Sequence, residues 1–258
     1  MLTATAEALL PVYAQMPVRP VSGRGVWLID AGGQEWLDAY GGHAVASTGH
    51  CHPHVVAAIA RQAETLLFYS AAVPLDGRER LASELAARCA VPGARVFFCN
   101  SGAEANENAL HLARRATGRS GVVALEGGWH GRTVATLACT DGEKYQAWAR
   151  AAAMPLARRV PFDDVEALQH TVDDTTAAVI IEPVQGLAGA RDCAPGFLRA
   201  AREVCDHAGA ALIFDEMLDG IRESCGQKVI KRDKAAADII ARLREGCIVT
   251  IAADQNTI

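Results

Sequence analysis

Three short stretches constrain the fold of this 258-residue chain more than any other feature. Gly121-Val-Val-Ala-Leu125, Thr176-Ala-Ala-Val-Ile-Ile181 and Ala210-Ala-Leu-Ile-Phe214 run on without the apolar–polar alternation of a half-solvated strand. A strand with one face in water alternates; a strand buried on both faces does not. Strands of the second kind need helices on each side. Helical spacing supplies them at Ala105 to Ala116, where Leu110, Ala113 and Arg114 recur, and at Val165 to Thr171 and Pro195 to Ala208. Arg95-Val-Phe-Phe-Cys99 predicts a further buried strand, and Ala157 to Pro161 a short one. From residue 90 to 216 the order is strand, helix, strand, loop, helix, strand, helix, strand. That order predicts an α/β fold with a mostly parallel sheet flanked by helices.

The part before residue 90 reads differently. Ala4 to Gln15 has the pattern of a short helix. Gly25 to Asp30 and Glu35 to Tyr40 flank Ala31-Gly32-Gly33 and predict a hairpin. A Gly-rich loop follows, from Gly41 to His50. His54 to Leu67, entered through Pro53, and Asp76 to Cys89 predict amphipathic helices. The chain is expected to divide into an N-terminal segment with the hairpin at 1–60, a larger domain at 61–220 and a tail at 221–258.

Parallel α/β sheets bind ligands at the carboxyl ends of their strands. Three polar elements fall there. The first is Asn100-Ser-Gly-Ala-Glu-Ala-Asn-Glu107, a tight turn into a helix. Gly102 permits close approach of a ligand, and helix-start N–H groups with the Ser101 hydroxyl suit a phosphate. Such turns also occur where nothing binds. The second is the loop Gly127 to Thr133 with Trp129 and His130, and the third is Asp215 at the end of a strand. An aromatic plane, a phosphate cradle and an acid together suit a flat, phosphorylated cofactor with a basic nitrogen, the shape of pyridoxal 5'-phosphate (PLP). Taken singly, Asp215 can cap a turn and Trp129 can be a packing residue.

Composition narrows the class. Half the residues are apolar, enough for a sizeable core, and the net charge of −5 gives no footprint for nucleic acid. No long uncharged apolar run predicts a membrane span, and the N-terminus lacks a secretory pattern. Eight cysteines without CxxC pairs fit reduced thiols in a cytoplasmic protein. His50, Cys51, His52 and His54 are metal-ligating types, but neighbours on one short turn rarely converge on an ion, so no metal site is expected.

The motifs, in this order, resemble the class III PLP-dependent aminotransferases, and within them the acetylornithine/ornithine branch. They are Asn100 to Glu107, Gly127 to Thr133, Ile181-Glu-Pro-Val-Gln-Gly186 and Leu212-Ile-Phe-Asp-Glu216, together with Gly41 to Val45, Gly49 to Pro53 and Phe68-Tyr-Ser70. The resemblance runs from about residue 10 to 216. It implies the type I fold of PLP-dependent transferases, here truncated, with PLP as cofactor. It implies transamination between an ω-amino acid derivative of acetylornithine type and a 2-oxo acid, a cytoplasmic homodimer, and a place in arginine biosynthesis. Residue by residue, it gives Ser101, Gly102 and Ala103 to the cofactor phosphate and Trp129 to the ring, where the family more often has Phe or Tyr. Asp215 would pair with the pyridinium nitrogen and keep the ring able to accept electrons. Glu182 matches an acid near the active site, Arg132 a guanidinium that grips the substrate carboxylate, and Glu104 a structural acid.

The resemblance breaks after Asp215-Glu216. The family continues with Val-Gln and a Gly-Arg-Thr-Gly loop; this chain reads Met217-Leu218-Asp219-Gly220-Ile221-Arg222-Glu223-Ser224. The Schiff-base lysine should follow about thirty residues after the aspartate, and the aligned position is Arg244. Arginine stays protonated and forms no useful imine. Lys228, Lys231 and Lys234 stand in a charged stretch that reads as solvated, whereas a Schiff-base lysine needs a depressed pKa and close placement. No catalytic residue is therefore assigned, and the family's C-terminal small domain is not found. From about residue 227 to 256 the tail weakly resembles lauroyl-type lysophospholipid acyltransferases, although His111, His130, His170 and His207 each lack the Asp five positions on that acyl transfer would need. The join near 217–227 reads as a fusion or frameshift, or as plain divergence. Two alternative readings of the chain stand beside transamination. One is a catalytically inactive truncated or fused descendant with at most weak PLP binding; the other is a non-enzymatic remnant.

Overall fold

The computed structural model describes residues 9–10, 15–89, 91–215 and 248–250. The expected helix at Ala4 to Gln15 lies largely outside the described residues, and Lys228, Lys231, Lys234 and Arg244 lie wholly outside them. The chain divides into two compact units, Met1–Ser70 and Ala71–Ile258.

In the first unit β1 (Pro20–Arg24), β2 (Trp27–Asp30) and β3 (Glu35–Leu37) form an antiparallel sheet in that order. The expected hairpin is β2–β3, with Ile29 opposite Glu35. Asp30 fixes its turn: Oδ1 accepts the N–H groups of Gly32 and Gln34 at 2.9 and 3.0 Å, and Oδ2 accepts Trp36 Nε1 at 3.0 Å. Strand β1 carries no apolar pattern and is a strand only through its ladder with β2. A short turn, α1 (Gly41–Ala44), falls in the expected Gly-rich loop. Helix α2 (Pro53–Thr65) starts with Pro53, whose missing N–H costs nothing in the first turn, and stops where Leu66 turns extended.

The second unit opens with α3 (Asp76–Arg88) and α4 (Gly102–Thr117). There follow β4 (Gly121–Leu125), α5 (Val134–Cys139), α6 (Glu143–Ala151), β5 (Arg158–Val160), α7 (Val165–Thr171) and β6 (Thr176–Ile181). A small hairpin, β7 (Val184–Gln185) with β8 (Arg191–Asp192), precedes α8 (Pro195–Ala208), β9 (Ala211–Asp215) and β10 (Ile248–Thr250). The central sheet has the order β10-β9-β6-β4-β5, and every pair in it is parallel. Register sets Ile180 beside Ile213 and Val123 beside Val179.

Successive side chains of a strand point to opposite faces. Val123, Val179, Ile181, Leu212 and Phe214 pack with Leu168 of α7 and Phe197, Leu198 and Ala201 of α8. Val122, Ala124, Ala178, Ile180 and Ile213 pack with Ala109, Leu110 and Ala113 of α4 and Ala135 of α5. Two apolar layers on one sheet are the reason these strands show no alternation.

One expected strand is absent. Arg95 to Cys99 makes no ladder among the described residues, and Phe97 is 68% exposed. An apolar run becomes a strand only when a partner takes its N–H and C=O groups, and no described strand lies alongside it. Among the described residues no helix is long and apolar enough to cross a membrane.

Candidate active site

Every parallel strand delivers its carboxyl end to the same edge of the sheet. The loop after β4, Glu182 after β6 and Asp215 closing β9 therefore come together, with the start of α4 beside them.

Helix α4 begins on an extended Ser101, whose Oγ accepts the Glu104 N–H at 3.2 Å. Glu104 reaches back, and its Oε2 accepts the Asn100 N–H at 2.6 Å. This reciprocal cap fixes the turn and gives Glu104 the structural part expected of it. A hydroxyl that accepts one bond still has its own O–H to donate. The first-turn amides of Gly102 and Ala103 have no carbonyl within the helix to receive them, so this end of α4 is a ready anion cradle.

The loop Gly127 to Thr133 is pressed against that cradle. Gly131 has φ +127°, and a Cβ there would sit 2.8 Å from the Ala103 Cβ and 3.1 Å from its Cα. Trp129 is half-buried; its main-chain N–H donates to Glu182 Oε1 at 2.8 Å. Its indole meets the Tyr145 ring edge to face at 5.0 Å, and Tyr145 meets Trp148 likewise at 5.7 Å. Arg132 is exposed on the same loop.

Asp215 is 5% exposed, and two donors converge on its Oδ2. Asn106 Nδ2 lies at 2.8 Å and His130 Nδ1 at 2.8 Å. The same Asn106 amide donates to the His130 carbonyl at 2.9 Å. An ionised carboxylate only accepts, so the network assigns the proton to Nδ1 of His130. His130 Nε2 is then a buried atom without a hydrogen-bond partner among the described residues. His130, Glu182 and Asp215 each bring one ligating atom to within 4.8 Å of the others. Nδ1 of His130 is bonded to Asp215 and Glu182 to the Trp129 main chain, so hydrogen bonds link each of the three into the site.

The geometry thus brings Ser101, Gly102, Ala103, Trp129, Glu182 and Asp215 to one end of the sheet. It adds Asn106, not singled out from the sequence, and gives His130, singled out only as part of its loop, a specific partner. Asn106 lies on the apolar face of α4 with Ala109, Leu110 and Ala113, and a polar residue in an apolar stripe was the available signal. His130 is 2% exposed. The donor set fits a flat anionic ligand with a basic nitrogen: first-turn amides for the anion, a half-buried indole for the plane, and an acid whose donors among the described residues sit on one oxygen.

Comparison with known proteins agrees with this geometry. A family model described as aminotransferase class-III matches residues 10–242. The acetylornithine aminotransferase of Methanosarcina acetivorans is 41% identical over 215 residues, which cover 83% of this chain and 54% of that protein. The succinylornithine transaminase of Citrobacter koseri is 41% identical over 221 residues, 83% of this chain and 54% of that one. The chain therefore spans about half the length of the curated relatives it matches. Among solved structures, the ornithine aminotransferase of Toxoplasma gondii superposes with a TM-score of 0.71 at 30% identity, covering 81% of this chain and 51% of that one. A taurine:2-oxoglutarate aminotransferase from Bifidobacterium kashiwanohense, in complex with PLP and glutamate, gives 0.71 at 25% identity over 80% and 52%.

Proposed function

The chain belongs to the class III aminotransferases, and we propose that it holds PLP and serves amino-group transfer between an ω-amino acid derivative of acetylornithine type and a 2-oxo acid. The observation that carries this reading is the buried Asn106–His130–Asp215 group at a strand end beside the α4 cradle. When bound, PLP supplies an electron sink for the carbon that bears the amino group.

The chain's own residues have separable tasks. Ser101, Gly102 and Ala103 would hold the phosphate through hydroxyl and amide donors. Trp129 would cover one face of the ring and keep water from it. Asp215 would hold a proton on the pyridine nitrogen; Asn106 and His130 both bond Oδ2, so among the described residues Oδ1 remains for that task. Glu182 would fix Trp129 by its main chain. Arg132, on the same loop, would take the substrate carboxylate with its planar fork. The acetylornithine and succinylornithine enzymes among the relatives support the substrate class. The working form in this reading is a cytoplasmic homodimer.

The test is a transamination assay paired with borohydride reduction after incubation with PLP and peptide mapping. The chain has four lysines, Lys144, Lys228, Lys231 and Lys234. The reading expects PLP-dependent turnover and a pyridoxyl mark on one of them that vanishes on its substitution. Saturable binding without mark or turnover supports the inactive descendant instead, and absence of binding overturns both.

A further inference from the structure

The loop that carries Trp129 and His130 has glycine at 127, 128 and 131, so its backbone has little stiffness of its own. Something outside the loop must hold it. We propose that Thr140 is a positioning residue for this site, its hydroxyl locking the His130–Gly131 main chain and so setting where Trp129 and His130 stand.

Thr140 is fully buried just beyond α5, and its own N–H bonds the Thr136 carbonyl at 2.7 Å. Its Oγ accepts the His130 N–H at 3.0 Å and donates to the Gly131 carbonyl at 2.9 Å. One hydroxyl thereby uses both donor and acceptor on two consecutive residues of the loop. The next residue extends the grip to the other side of Trp129. The Asp141 N–H donates to the Gly128 carbonyl at 2.8 Å, and its carboxylate accepts the Gly127 N–H at 2.7 Å. The pair is tied back to the sheet by Arg159, whose guanidinium donates to the carbonyls of Cys139 at 2.5 Å, Thr140 at 2.7 Å and Leu125 at 3.3 Å. Thr140 acts on the site through His130, since the imidazole that its bond positions is the one on Asp215. Without the hydroxyl, the buried His130 N–H and the part-buried Gly131 carbonyl lose their partner.

The inference rests on the reading of this site as a PLP site, and its test separates the two. Thr140→Val keeps the shape and removes the hydroxyl; Thr140→Ser keeps the hydroxyl. Hydrogen exchange of the His130 amide is measured in the cofactor-free chain, with the Ala201 amide of α8 as reference, and PLP affinity is measured by quenching of tryptophan fluorescence. Thr140→Val should speed exchange at His130 relative to Ala201, and weaken PLP binding, each by about tenfold or more. Thr140→Ser should stay within about threefold of the parent in both. Equal acceleration at His130 and Ala201 would mean that the whole fold answers to Thr140, and would overturn the inference. So would a Ser variant as impaired as the Val variant, or a Val variant like the parent. A parent chain that takes no PLP fails the reading of the site, whereas unchanged His130 exchange and affinity beside good parental binding fails the inference alone.

Discussion

Substituting Gly131 by alanine gives the sharpest stability prediction, because the structure supplies graded controls. Gly131 has φ +127°, a backbone region that side-chain-bearing residues rarely adopt, at a cost of about 1–3 kcal/mol. The new Cβ would also lie 2.8 Å from the Ala103 Cβ, 2.8 Å from Thr136 Oγ1 and 3.1 Å from the Ala103 Cα. Those neighbours include a helix backbone that cannot step aside, and such overpacking costs about 1–3 kcal/mol more. The expected loss is therefore about 2–6 kcal/mol. Gly118, the left-handed cap of α4 at φ +70°, has nothing within 4 Å of its would-be Cβ, so Gly118→Ala bears backbone strain alone, about 1 kcal/mol. Gly127→Ala falls between: its φ is +76°, but its nearest obstacle is the end of the Arg191 side chain at 2.6 Å. Urea midpoints at constant m-value read the order Gly131 > Gly127 > Gly118. PLP affinity should fall with Gly131→Ala and hold with Gly118→Ala. A Gly131 variant no less stable than the Gly118 variant would refute the close packing of loop on helix.

Other expectations concern the ring and the loop's acid. Trp129→Phe should keep PLP affinity within about threefold, whereas Trp129→Ala should lose about tenfold or more, as titration of the cofactor absorbance will report. Burial by itself raises the Asp141 carboxyl, but the Gly127 and Gly142 N–H donors and the Arg159 charge outweigh it and hold it below the ordinary value. A depressed folded value means the unfolded chain binds the proton more readily, so this contribution is whole above about pH 4 and fades as pH drops below it. The stability gap between the parent and Asp141→Asn should accordingly be widest near neutrality and shrink at about pH 3, in urea midpoints taken at both.

What the sequence disclosed follows from which interactions are local. β4, β6 and β9 were legible because burial on two faces leaves an unbroken apolar run, and α7 and α8 because each has a periodic face. Helix α5 was missed: its residues from Ala135 to Cys139 are all buried, so it shows no amphipathic period. α6 was missed too, between turn residues that mask its spacing. Arg95 to Cys99 misled in the opposite direction, since strand character needs a partner that composition cannot name. At the site, Trp129 and Asp215 stood out by their places after strands. Asn106 and Thr140 did not, and His130 stood out only as part of its loop, because their roles arise from contacts spanning 10 to 109 residues along the chain. The anion cradle at Ser101 and Gly102 was legible from the strand-turn-helix order, whereas the roles given to Ala103, Glu182 and Arg132 came from motif resemblance.

The central claim is that Asp215, held by Asn106 and His130, meets the basic nitrogen of a flat phosphorylated ring. Its most direct test is PLP binding to the parent chain and to Asp215→Asn, followed by absorbance and tryptophan quenching, with inorganic phosphate as competitor. The account predicts one saturable site per chain, competition by phosphate at the α4 cradle, and an affinity lower by about tenfold or more in Asp215→Asn. Equal affinity in the two chains, with both still folded by circular dichroism, would contradict it.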